Sequence, residues 1–342
     1  MAFITFQPSD HFNTKLWTGD GTTSNAQTGI GFQPDLVWTK GRSDAYDNTL
    51  TDAVRGATKY LISNSTNAEA TGNIVTSFDS DGFTLGDRGE ANYSGRTYVG
   101  WNWKANGSGS ANTDGSISST ISANTTAGFS IVSYTGTGSN ATVGHGLGVA
   151  PSMMIFKNRD RGDYGWRVYH KSIGATKNLN LQSTAVEETS SSRFNDTEPT
   201  SSVFSIGTDL ALNTSSQDII AYCFAEKKGF SKFGLYEGNG NADGAFVYTG
   251  FKPAFVLYKG KGAVQSWNIQ DNKRLGYNPN NAFLFPNLSQ AESDITRIDL
   301  YSNGFKLRTT DAGQNGSGQG YVYMAFAEFP IVSSNDIPAT AR

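Results

Sequence analysis

Few residues in this chain are of a type that does chemistry. The histidines are His11, His145 and His170, and the single cysteine is Cys223. No histidine stands in a Glu-x-x-His or His-x-x-x-His spacing, so no metal-binding helix face is encoded. One cysteine allows neither an intramolecular disulfide nor a cysteine-based zinc cluster. His145 lies in the glycine-rich stretch VGHGLG and reads as a turn residue, although a Ser-His-Asp site assembles in space and spacing alone does not exclude one. Paired carboxylates occur at Asp79 and Asp81, within FDSDGF. Asp-x-Asp-Gly can open a calcium loop, because hard cations want clustered oxygens. Here the later glutamate is missing, and Asp-Gly is also a hairpin turn. Calcium at Asp79 and Asp81 is therefore the one cofactor in question. Glycoside hydrolysis needs two carboxylates across a cleft. Glu226, Glu237 and Glu328 are candidates by type, but Glu226 and Glu328 close strands whose counterpart in the first third of the chain is Ala105. No catalytic residue is expected, and the chain reads as non-enzymatic.

Binding chemistry is better represented. The stretch 158–170, NRDRGDYGWRVYH, is the most charged and aromatic in the sequence. Arg159, Arg161, Tyr164 and Trp166 form the expected ligand-contact surface. The alternative is an ordinary solvated hairpin, and the alignment of Trp166 near Trp267 points to packing. Aromatic-x-Gly-x-Gly turns begin at Trp17, Tyr134 and Tyr236. A phosphate cradle would want a helix next, and TTSNAQTGIGF has no helical pattern. Two readings stay open: a strand-end aromatic packed on the core, or an exposed ring that stacks on a sugar.

The elements that must carry these residues recur three times. Pro34, Pro151 and Pro253 each stand seventeen residues beyond the aromatics at 17, 134 and 236, and Lys40, Lys157 and Lys259 six further on. GATKYL at 56–61 returns as GATKNL at 174–179, with Gly276 as a weaker third copy. Each copy ends in an aromatic-laden segment, YVGWNWKA, IIAYCFAE or YVYMAFAE, whose alternation has period two with both faces partly buried. Proline before a β-branched run is a legitimate strand start. Only Leu50–Ile62 offers a short helical candidate. The expected architecture is all-β: three tandem β-sandwich repeats, jelly-roll or concanavalin-like, of about 100 residues. They cover 1–105, 128–230 and 231–342, the last with a short tail. Residues 106–127, rich in Gly, Ser, Asn and Thr, read as a flexible linker that gives the first repeat more freedom.

Composition narrows the partners. With 27 basic and 30 acidic residues the net charge is −3, which offers no basic field for nucleic acid. No apolar run approaches the roughly 18 residues of a membrane helix, and MAFITFQPSD has no signal-peptide pattern.

The first repeat, with GFQPDLVWTKGR, NTLTDAVRGATKYLISN, TSFDSDGFTLG and YVGWNWKA, resembles a domain of uncharacterised function that recurs in bacteriophage virion proteins, especially of marine phages. The resemblance is close over 29–105, looser in the second repeat and loosest in the third, where KRLGYNPN replaces the Val-Arg-Gly-Ala-Thr-Lys block. It implies a concanavalin-like sandwich and a virion protein, made in the host cytoplasm and released by lysis. The resulting expectation is a tail fibre or adhesin that attaches to a bacterial surface glycan. Other virion proteins are its expected partners, and it is expected to form a homo-oligomer, such as a trimer, through its sandwiches. A capsid decoration or head-fibre protein and a glycan depolymerase are the alternatives.

Overall fold

A computed structural model describes residues 6–274, 278 and 280–328. The chain is all-β, with antiparallel sheets and helices of one turn only. Three large sheets share one strand order. In the first, Phe12–Thr18, Thr97–Trp103, Leu36–Gly41 and Thr49–Asp52 lie side by side. The second places Phe129–Thr135, Asp218–Phe224, Met153–Asn158 and Arg167–His170 in that order, and the third Ser231–Glu237, Gly320–Ala327, Pro253–Gly260 and Asn268–Asp271. A smaller sheet covers the outer face of each, led by Asn25–Thr28, Ala141–Gly144 and Phe246–Tyr248.

The period-two alternation explains the layering. In the aromatic closing strand Thr97–Trp103, Val99, Trp101 and Trp103 face one buried cluster while Tyr98 faces another. The same split recurs with Ile220, Tyr222 and Phe224 against Ile219, Ala221 and Cys223. In the third unit it places Val322, Met324 and Phe326 against Tyr321, Tyr323 and Ala325. The first set from every unit belongs to a single central cluster, in which Trp103, Phe224 and Phe326 meet with ring centroids 5.8–6.1 Å apart. The second sets lie under the three outer sheets. Each large sheet is thus buried on both faces, once in its own sandwich and once in a core common to all three.

This arrangement corrects three expectations. Residues 106–127 are not a loose linker: Ser110–Asn112 and Ser119–Asn124 extend the second large sheet, and Asp35 receives the backbone N–H groups of Ala105 and Gly107. Backbone pairing holds these strands with few large side chains, so Ser, Thr and Ala with Ile117 and Ile121 against the core suffice. The first unit has no separate freedom, because its closing strand packs in the shared core. Leu50–Ile62 holds no helix but parts of two paired strands, Thr49–Asp52 and Lys59–Ile62. The third-copy glycine, Gly276, and the tail 329–342 lie outside the described residues.

Candidate functional site

The loop expected to contact ligand divides in two. Arg159 turns into the body and donates to both carboxylate oxygens of Glu69 of the first unit, through Nε and Nη2 at 2.9 and 3.1 Å. Trp166, expected at a contact surface, is fully buried and donates its indole N–H to Ile62 O at 2.9 Å. Arg161 and Tyr164 stay at the outside, the guanidinium 5.4 Å from the ring centroid and paired with Asp163 at 2.5 Å. Arg159 and Trp166 are therefore fastenings between units, and Arg161 and Tyr164 are what remains for contact.

The same fastening closes all three junctions. Arg42 of the first unit pairs with Glu292 of the third, and Lys261 of the third pairs with Glu187 of the second. In each case the acidic residue's N–H also donates to the carbonyl of its cationic partner, over 2.7–2.8 Å. Asn48 and Trp267 stand at the place of Trp166 and donate to Pro286 O and Asn180 O. Deeper in, Tyr222 Oη donates to Asp52 and Trp101 Nε1 to Asp271, both acceptors carrying a buried arginine, Arg55 and Arg274. Burial alone would raise the Glu69 carboxyl, but hydrogen bonds and charge from Arg159 and Arg55 hold it at about 2. At the third junction His170 takes the place of the aspartate and burial lowers it to about 4, so it stays neutral while Nε2 faces Tyr323 O at 3.1 Å.

The glycine turns are held from below. Trp17, Tyr134 and Tyr236 are buried and donate to the carbonyls of Ala91, Leu212 and Gln314, which settles them as core aromatics. The next residue, Asn92, Asn213 or Asn315, is fully buried and accepts a backbone N–H from its turn while donating back to loop carbonyls. Asp81 accepts the N–H groups of Gly29 and Gly31, and Asp79 the hydroxyl of Thr84. In this geometry the calcium candidate is a turn brace.

On the outer sheet of the third unit, side chains of a different kind face solvent. Phe246 and Tyr248 alternate with buried Val247 and are 47% and 61% exposed, and Tyr301 is 37% exposed. Register sets them in two cross-strand rows: Phe246, Lys306 and Asp299, then Tyr248, Gly304 and Tyr301. Phe246 and Tyr301 meet edge to face at 6.0 Å. Sequence reasoning missed this face, because Phe-Val-Tyr reads as a buried strand whichever side is turned out.

A family model, described as a domain of unknown function, DUF7483, matches residues 7–330. The chain belongs to the DUF7483 family. No curated protein matches it. The match runs through all three sandwiches, as the common core would require of a unit that folds together. The chain also buries three lysines at its aligned strand ends. Lys157 Nζ donates to the carbonyls of Asn158, Arg161 and Tyr164, Lys40 to those of Tyr46 and Ser289, and Lys259 to those of Gly260 and Ala263. Burial lowers them to about 8, 7 and 8, an effect opposed at Lys157 by the charge of Asp163 and at Lys40 by that of Asp47. Burial also pushes the Cys223 thiol up, away from the reactive thiolate. A pocket of about 100 Å³ lies between the first and third units, lined in part by Asn13, Asn272, Lys273 and Glu328. Its carboxylate is engaged by Lys252 at 2.6 Å.

Proposed function

We propose that this protein is a non-enzymatic structural protein of a bacteriophage virion, a tail fibre or adhesin component that attaches to a bacterial surface. The observation that carries the reading is the use made of its reactive side chains. The deepest acids, bases and aromatic donors hold units or turns together, and Glu226, a candidate acid by sequence, bridges Lys171 and Lys232 at 2.5 and 2.7 Å. What remains free for function is surface, polar loops and the aromatic outer face of the third unit. The resemblance of the first repeat to virion domains gives the setting. Partners are then other virion proteins and a surface glycan, and further copies of the chain add avidity. The decoration reading drew on a loose segment after the first unit, and within that segment Ser110–Asn112 and Ser119–Asn124 are paired strands.

Adsorption tests the proposal. Purified, fluorescently labelled protein should bind intact cells of the host bacterium and slow adsorption of the phage in proportion to its concentration. Protein that neither binds the cells nor competes would overturn the adhesive reading.

A further inference from the structure

The outer faces of the three sandwiches provide an internal comparison. Alignment of the paired strands on the buried Gln27–Phe83, Val143–Phe204 and Val247–Phe305 partners sets Phe246 beside Ala26 and Thr142, and Tyr248 beside Thr28 and Gly144. Tyr301 faces Gly304 as Asp79 faces Gly82 in the first unit. Where the third unit carries Phe246 and Tyr248, both other units carry small or polar residues, and the first carries Asp79 in the place of Tyr301. These rings do not serve the sandwich.

We infer that this face is a carbohydrate-binding site for a neutral, pyranose-containing glycan, a step that rests on the adhesive reading above. A pyranose has an apolar C–H face and a hydroxylated rim. The electron-rich faces of Tyr248 and Phe246 suit the first, and Tyr301 stands edge-on to Phe246 as a side wall. The rim meets charged groups in the adjacent row and beside it. Lys306 pairs with Asp243 at 2.5 Å and Arg308 with Asp299 at 3.2 Å, so two cations and two anions balance. A face without net charge favours a neutral sugar over an acidic one. Size favours a sugar over a protein: three rings of about 150–250 Å² each, only 37–61% exposed, offer less than half of the about 800 Å² per partner of a stable protein interface. Gly304 between the tyrosines keeps the row low, since a Cβ there would lie 2.9 Å from the Phe246 ring and 2.2 Å from Val247 O.

The test is affinity electrophoresis of the purified full chain in gels containing dextran, laminarin, galactomannan, mannan or the host's own surface polysaccharide, with alginate as the acidic polymer. The wild type should be retarded by at least one neutral polymer. Phe246→Ala/Tyr248→Ala should weaken that retardation at least tenfold with an unchanged melting temperature, and Thr142→Ala, at the matching place in the second unit, should leave it intact. Retardation by no polymer, by alginate alone, or equally in the double variant would overturn the site. So would a dimer in solution that the double variant dissociates. Loss of polymer binding while the chain is still found on particles overturns the glycan site alone. Polymer binding by a chain absent from particles overturns the virion reading alone.

Discussion

Tyr222 Oη donates to Asp52 Oδ2 across 2.8 Å, with both residues fully buried and each belonging to a different sandwich. Trp101 and Asp271 repeat the relationship at 3.0 Å between the first and third units. At the remaining junction the donor's place in the strand register is taken by Met324, which has no hydrogen to give, and the acceptor's place by His170, which faces a backbone carbonyl instead. The two departures match: an aspartate facing a methionine would lose its donor, whereas a histidine finds a partner in the main chain.

Removal of one hydroxyl tests the first of these joints. Tyr222→Phe should destabilise the whole chain by about 1–3 kcal/mol, the cost of leaving a buried acceptor short of a donor. Urea unfolding should show a shifted midpoint with an unchanged slope.

The exceptional junction can be rebuilt in the image of the others. His170→Asp alone should be strongly destabilising, because its carboxylate faces Met324 without a donor. Met324→Tyr in the same chain should recover a substantial part of the loss. A double-mutant cycle measures the coupling directly, and additive effects would contradict the pairing.

His170 also sets a pH dependence. Its folded value, about 4, lies below the 6.5 of a free histidine, so the unfolded chain binds the extra proton. Stability should be at its full value above pH 6.5 and fall as the pH drops from 6.5 to 4, by about 3 kcal/mol at most. Burial lowers His11 and His145 too, and their contributions have the same sign. Thermal melts at intervals of half a pH unit would trace the slope, which His170→Asp/Met324→Tyr should reduce.

The turn anchors should matter as much as the joints. Asn213 receives the N–H of Thr137 and donates to Ser139 O and Gly207 O. Asn213→Ala strands three backbone groups, and a loss of about 1–3 kcal/mol or more should appear in the melting temperature.

The strand pattern was legible because alternation and proline placement are local. The three strand-end lysines could be aligned by counting alone, whereas Asp52, His170 and Asp271 stand 12, 13 and 12 residues beyond them and are matched only by strand register. The junctions were not legible. Arg159 finds Glu69 ninety residues earlier in the chain, and nothing in NRDRGDYGWRVYH distinguishes a fastening from a contact loop. Trp166 gave the one warning, through Trp267, and both rings prove to be buried donors to a neighbouring unit. The strands within 106–127 escaped notice because backbone pairing, rather than a run of apolar side chains, holds them in the sheet. The aromatic outer face was hidden for the opposite reason: its residues look like core, and only the register reveals which side of Phe246 and Tyr248 meets water.

The functional claim is tested most directly by finding this chain on the intact particle. Purified virions should contain it by mass spectrometry, and cryo-electron microscopy or a site-specific gold label should place its three-unit density on the tail or its fibres. Density on the capsid lattice, or absence of the chain from purified particles, would contradict the account.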